Sequence, residues 1–204
     1  MKSIGILFII SGFSGAGKGT ILKEVFAQMP DLKFSVSATS REPRVDEENG
    51  IHYYFISEQM FEKYIENDAF IEYTRTFNNY YGTLKSEIEN PLREGRDVLF
   101  DINVTGAKSM KEKYPDAITV FVTPPTLSDL RIRLMGRKSE TMESLDRRIA
   151  EAKTEIADMK NYDYIIVNDD INKCAKALIS IIKSAKYQTK RNFDVIKSLS
   201  EEQK

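Results

Sequence analysis

Cysteine and histidine are nearly missing from this chain of 204 residues, and tryptophan is missing altogether. A single cysteine, Cys174, excludes an intrachain disulfide framework, and a single histidine, His52, leaves no His/Cys set for zinc. An excess of one charge sign is lacking too: 30 basic side chains face 31 acidic ones, for a formal net charge of −1. That balance argues against a protein that lives on nucleic acid through bulk charge. No apolar run approaches the roughly 20 residues needed to span a bilayer, and there are no internal repeats or low-complexity tracts. What the chain does have is 41% apolar and 30% charged residues. That suffices for one α/β domain with small inserted lobes and argues against wholesale disorder. A reduced, soluble, cytoplasmic protein is expected.

The apolar stretch 4–10 follows Met1-Lys2-Ser3 as a short secretory signal would. It is only seven residues long and runs straight into a turn containing Gly and Lys, so a buried parallel strand explains it better. Ile21, Leu22, Val25, Phe26 and Met29 then repeat at helical spacing until Pro30. Strands are predicted at 34–37, 53–56 and 69–77, with a helix between the last two. Strand–helix alternation returns beyond, with strands at 97–102, 117–122 and 164–167 and helices at 104–114, 126–137 and 171–187. Leu145, Ile149, Ala152, Ile156 and Met159 mark one face of a further long helix. Pro91 interrupts an otherwise helical segment, and the residues from about 188 read as a weakly docked helix or frayed tail. Alternating elements of this kind imply a parallel sheet with helices on both faces.

The strongest local signal is Gly12-Phe13-Ser14-Gly15-Ala16-Gly17-Lys18-Gly19-Thr20, between an apolar strand and an amphipathic helix. Glycines let successive N–H groups converge on phosphate oxygens, the helix N-terminus adds positive dipole, and Lys18 supplies a mobile charge. The usual pattern puts Ser or Thr directly after the lysine to meet magnesium. Here Gly19 stands there and Thr20 follows, a form that resembles the loop of adenylate-type nucleoside monophosphate kinases. Magnesium is therefore expected to be held by phosphates and water more than by the loop.

Two further groups are weaker alone. Thr39-Ser40-Arg41-Glu42-Pro43-Arg44 places two arginines beside a proline turn, a fork suited to a dianion or simply two solvated charges. Phe70-Ile71-Glu72 precedes Asn79-Tyr80-Tyr81-Gly82-Thr83, and Glu72 reads equally well as a strand-edge charge. His52 reads as an incidental loop residue and Cys174 as a small packing residue.

Taken in order with Gly50 to Phe55, Asp101-Ile102, Val122 to Pro125 and Val167-Asn168-Asp169-Asp170, these motifs resemble the guanylate kinase family in its free-standing form, over about residues 4–186. The resemblance implies a three-layer P-loop kinase: a core (1–34, 96–125, 158–187), an inserted strand-rich GMP-binding lobe (35–95), a helical lid (126–157) and a tail (188–204). It implies transfer of the γ-phosphoryl group of ATP to GMP in purine nucleotide recycling. It implies Mg²⁺ as cofactor, ATP and GMP as small-molecule partners, and no nucleic acid, membrane or obligate protein partner. By the same resemblance, Gly12, Phe13, Ser14, Gly15, Ala16, Gly17, Lys18, Gly19 and Thr20 would bind the ATP phosphates, and Asn168 would lie near adenine. Glu72, Ser37 and Thr83 would serve guanine, and Arg41, Arg44, Tyr53 and Tyr81 the GMP phosphate. Asp101 would join the GMP site and orient magnesium through water, with no side chain assigned as a direct metal ligand. Lys18, Arg137 and Arg148 would carry catalysis, and the resemblance leaves the role of neighbouring Arg133 open.

Two departures bear on these expectations. The family commonly reads Asp-Ile-Asp and then glutamine two residues later, where this chain has Asp101-Ile102-Asn103 and Thr105. Asn103 keeps hydrogen-bonding shape and loses a charge. Two alternatives stay open on sequence alone: a guanylate-kinase-like module that has lost catalysis and recognises phosphorylated peptides, and a related kinase acting on another phosphate ester. Intact Gly15, Gly17, Lys18 and both lid arginines favour catalysis.

Overall fold

The computed structural model describes residues 4–76, 78–136 and 142–202. In chain order the strands are β1 (Leu7–Gly12), β2 (Lys33–Phe34), β3 (Ala38–Thr39), β4 (Tyr54–Phe55), β5 (Phe70–Thr76), β6 (Asn79–Leu84), β7 (Val98–Asp101), β8 (Ile118–Thr123) and β9 (Tyr164–Val167). The helices are α1 (Lys18–Gln28), α2 (Glu58–Glu66), α3 (Lys85–Arg93), α4 (Val104–Lys113), α5 (Leu127–Met135), α6 (Met142–Glu155), α7 (Ile171–Ala185) and α8 (Phe193–Glu201). Short 3₁₀ turns occupy Ile156–Asn161 and Thr189–Arg191. The chain divides into two compact units, residues 2–11 with 31–119 and residues 12–30 with 120–204.

In the first unit β1 and β2 both run parallel to β7, with Leu7 opposite Val98 and Lys33 opposite the same residue. Every residue of β1 is buried, as its uninterrupted apolar run requires of a strand covered on both faces. A second sheet in this unit has strand order β4-β3-β6-β5. Its core is aromatic: the Phe61 ring stacks on Phe70 at 4.2 Å and on Tyr80 at 5.0 Å. Ala38 completes that cluster, with Tyr54, Tyr64 and Leu84 packed around it.

In the second unit β8 and β9 pair in parallel, Val120 opposite Tyr164, and α1 packs against α7. Ile21, Leu22 and Val25 fill the buried side of α1, and Leu178, Ile179 and Ile182 that of α7. Asp170 starts α7 by accepting from the Lys173 N–H at 2.8 Å. The architecture is α/β with parallel core strands, as expected.

Several local readings change. The stretch 34–37 is not one strand: Lys33–Phe34 pairs with β7, whereas Ala38–Thr39 belongs to the other sheet. Pro91 lies inside α3, buried, rather than ending it. The long helix past residue 142 tightens into a 3₁₀ turn at Ile156. The segment after 188 keeps its reading as a weakly docked helix: it contains α8, whose residues are all exposed.

Candidate active site

The phosphate loop runs from Gly12, the last residue of β1, into the first turn of α1. Gly12, Gly15 and Gly17 have φ values of 143°, 90° and 92°, a region open to glycine and strained for other residues. Space is short as well: a Cβ at position 12 would lie 2.0 Å from the Val122 carbonyl oxygen. Gly17 is the N-cap of α1 and offers no side chain, so the first N–H groups of the helix have no side-chain cap and remain for an anion. The Lys18 ammonium donates to the Gly12 carbonyl oxygen at 2.9 Å, folding the side chain back over the loop.

Two side chains hold the loop from behind. Asn168, 3% exposed, donates through Nδ2 to the Ala16 carbonyl oxygen at 2.7 Å. Arg133 donates to the same oxygen at 3.2 Å and to the Asn168 carbonyl at 2.7 Å. With the Ala16 carbonyl turned toward these donors, the trans peptide sends the Gly17 N–H the opposite way. The Arg148 guanidinium donates to Ser14 Oγ at 2.9 Å. Arg137 lies outside the described residues. Glu155, at the end of α6, carries a carboxyl that burial pushes up in pKa while the charge of Lys18 opposes the shift.

The second cluster is built on the aromatic sheet. Antiparallel pairing sets Glu72 of β5 opposite Thr83 of β6. Thr83 Oγ1 donates to Glu72 Oε1 at 3.0 Å and lies 3.1 Å from Ser37 Oγ, so the three side chains form one hydrogen-bonded line. Burial raises the Glu72 pKa, against the pull of the Thr83 hydroxyl and the Lys113 charge. The Lys113 ammonium itself donates to the neighbouring Ile71 carbonyl. A half-buried carboxylate at the end of a line of two hydroxyls suits a planar ligand with adjacent N–H donors and a carbonyl acceptor.

Tyr81 shares a face of β6 with Thr83, about 7 Å along the strand at its usual rise. Its ring lies 6.1 Å from that of Tyr53. Beside them Arg41 is fixed on several sides. Its guanidinium carbon lies 5.3 Å from the centre of the Tyr53 ring and 5.5 Å from that of Phe55. NH1 and NH2 donate to the two carboxylate oxygens of Glu47 at 2.6 and 2.7 Å. The Arg41 guanidinium, together with the Arg44 N–H, holds the Glu47 carboxyl down to about 2. The structure thus brings together Ser37, Glu72 and Thr83, and brings Arg41 beside Tyr53 and Tyr81. The Arg44 side chain is exposed, and only its backbone N–H meets Glu47, at 2.9 Å.

Asp101 ends β7 opposite Ile10. Asn103 caps α4, its Oδ1 accepting from Gly106 N–H at 2.8 Å, so the residue that departs from the usual acid has a structural role of its own. Among the described residues no three His, Cys, Asp or Glu side chains converge as a metal cage. With Gly19 in place of a loop hydroxyl, this donor set fits an ion carried by nucleotide phosphates and water, not one held in a protein cage.

Residues 5–185 match the family model described as guanylate kinase. The chain belongs to the guanylate kinase family. It is 44% identical over 192 residues to the guanylate kinase of Clostridioides difficile, covering 94% of both chains. It is 40% identical over 202 residues to that of Caldanaerobacter subterraneus subsp. tengcongensis, covering 99% of this chain and 98% of the relative. A crystal structure of guanylate kinase from Anaplasma phagocytophilum superposes with a TM-score of 0.73 at 28% identity, over 94% of this chain and 91% of that one. Within this guanylate kinase framework, sequence reasoning overlooked Glu47, Lys113 and Glu155. Glu47 stands in an acidic run, Asp46-Glu47-Glu48, that gives no sign of which carboxylate turns inward.

Proposed function

We infer that the protein transfers the γ-phosphoryl group of ATP to GMP, giving ADP and GDP. The observation that carries this reading is the hydrogen-bonded line of Ser37, Thr83 and Glu72 in a chain of the guanylate kinase family. Guanine presents its ring N–H and exocyclic amine side by side, and one carboxylate accepts from both. The guanine carbonyl accepts from a hydroxyl. We assign Glu72, Ser37 and Thr83 to the base, and Arg41, Arg44, Tyr53 and Tyr81 to the GMP phosphate, with Asp101 completing that site. Gly12 to Thr20 bind the ATP phosphates. Asn168 contributes to the ATP site through its hold on Ala16.

The acceptor phosphate is anionic at neutral pH, so the reaction needs no strong general base. Rate comes from in-line positioning and from cations that neutralise charge on the moving phosphoryl group. Lys18, Arg148 and Arg137 supply those cations. When bound with the nucleotide, Mg²⁺ supplies further neutralisation of phosphate charge. Asp101 is the acid assigned to orient its water. We assign residues 35–95 to the acceptor lobe and 126–157 to the lid, the kind of element that excludes water from phosphoryl transfer. Residues 1–34, 96–125 and 158–187 form the core.

Among the described residues no helix is long and apolar enough to cross a membrane. We place the enzyme in the cytoplasm, in purine nucleotide recycling, with ATP and GMP as its partners and no requirement for nucleic acid, membrane or a protein partner. A coupled assay of ADP release across GMP, AMP, CMP and UMP tests the reading. GMP-dependent ADP release with little turnover of the others is expected. No release with GMP, or equal turnover of AMP, overturns it.

A further inference from the structure

We propose that Glu47 is the positioning residue of the acceptor-phosphate site, fixing the Arg41 guanidinium and the Arg44 main chain with one carboxylate. This rests on the assignment of Arg41 to the GMP phosphate. Glu47 Oε1 accepts from Arg41 NH2 at 2.7 Å, and Oε2 accepts both from Arg41 NH1 at 2.6 Å and from the Arg44 N–H at 2.9 Å. The two side chains are only 14% and 16% exposed. Arg41 NH1 donates in addition to the Glu42 carbonyl at 2.8 Å, which engages the outer end of the fork. Tyr53 and Phe55 lie against the guanidinium.

A guanidinium has five N–H donors in a rigid plane, and its terminal edge is taken here by Glu47. The second edge of the plane is formed by Nε and NH2. Arg41 is also linked to the Tyr81 hydroxyl, one of the groups assigned to the phosphate. On that assignment Glu47 meets the terminal edge and leaves the other edge to the phosphate. It holds a flexible, entropy-rich side chain in one orientation before the ligand arrives, so less freedom is lost on binding. The same carboxylate ties the turn from Arg41 to Arg44, setting where the second arginine leaves the backbone. Among the described residues no other carboxylate pairs with Arg41, and Glu47 is its anionic anchor.

The test measures GMP and guanosine affinity of the full chain by calorimetry, for wild type and Glu47→Gln, together with steady-state KM and kcat. Glu47→Gln is expected to weaken GMP by about 10- to 100-fold, the size of one charge-assisted hydrogen bond. Guanosine affinity, KM for ATP and kcat at saturating GMP should stay within about twofold. Unchanged GMP affinity overturns the proposal. Tighter GMP binding also overturns it, since Glu47 would then compete with the phosphate. Equal losses for GMP and guanosine would mean a merely structural role. Glu47→Asp carries the same comparison if the amide variant does not fold. Arg41→Ala separates the two levels: if it leaves the advantage of GMP over guanosine intact, the phosphate assignment itself fails, whatever Glu47 does.

Discussion

In the phosphate loop the groups offered to an anion are main-chain N–H groups and one lysine, whereas in the aromatic sheet they are side chains held by other side chains. The loop depends on conformation: Gly12, Gly15 and Gly17 occupy positive φ, and Asn168 and Arg133 orient the Ala16 peptide. The sheet depends on pairing: Thr83 sits on Glu72, and Arg41 on Glu47. A backbone cradle reads phosphate and little else, because every nucleotide presents the same oxygens. A side-chain cluster with a half-buried carboxylate reads a particular pattern of donors. On the proposed assignments the two halves divide the work into general anion binding and specific recognition, and substitutions should separate them.

The largest effect is expected at Lys18. Its ammonium is the only side-chain cation within the loop, and its hydrogen bond to Gly12 is not part of the core. Lys18→Ala should retain the fold while turnover drops by about 10²- to 10³-fold or more, since one charge aimed at the transition state is removed. Thermal unfolding and kcat measured together check this. Near-normal turnover in a folded variant would break the claim that this half carries the chemistry.

The same contrast decides what was legible in the sequence. Positive φ demands glycine, so the cradle leaves its mark at Gly12, Gly15 and Gly17 in nine consecutive residues. Periodic apolar residues likewise announced α1 and α6, because each buries residues of one face, Ile21, Leu22 and Val25 in the first and Leu145 and Ala152 in the second. Side-chain pairing leaves no such mark. Arg41, Glu47 and Glu72 are ordinary surface residues until a fold places partners beside them, and only resemblance to a family drew Arg41 and Glu72 out. Strand β6 was hidden for a related reason. Asn79-Tyr80-Tyr81-Gly82-Thr83 has polar and glycine residues where a strand signal needs apolar alternation, and β5 supplies the pairing that decides it. The stretch 34–37 misled because it bridges two two-residue strands of different sheets, Lys33–Phe34 and Ala38–Thr39.

An intermediate effect, confined to one substrate, is expected at Glu72. Glu72→Ala should lower kcat/KM for GMP by about 10²-fold or more and leave ATP binding within about twofold, because guanine donors lose their acceptor. The pH behaviour sharpens the point. Burial raises the Glu72 pKa, so the carboxyl takes up a proton at higher pH than an ordinary glutamate. KM for GMP should therefore rise as pH falls through that raised value, since only the ionised form accepts from both guanine N–H groups. In the nucleotide-free protein the sign reverses. Between the ordinary carboxylate range and the raised value the folded state binds more protons than the unfolded one, so stability declines as pH rises. Glu72→Gln should flatten both profiles. A pH-independent KM for GMP in the wild type would remove Glu72 from the base site.

The smallest effect is expected at Gly19, and it isolates what in the loop truly requires glycine. Unlike Gly15 and Gly17 on either side of Ala16, Gly19 lies inside α1 with no positive φ. A Cβ there would meet nothing within 4 Å. At position 17 a Cβ would sit 2.4 Å from Asn168 Nδ2, at a φ of 92°. Alanine is favoured over glycine in a helix by up to about 1 kcal/mol, and by less in a first turn. Gly19→Ala should therefore hold or slightly raise the unfolding temperature. It should keep turnover within a few-fold of wild type with an unchanged magnesium requirement, because no hydroxyl at this position is there to be lost. Gly17→Ala should reduce both stability and ATP affinity. A loss at Gly19 as large as at Gly17 would show that bound phosphate approaches the backbone of both residues, and glycine would then be required by the ligand rather than by the fold.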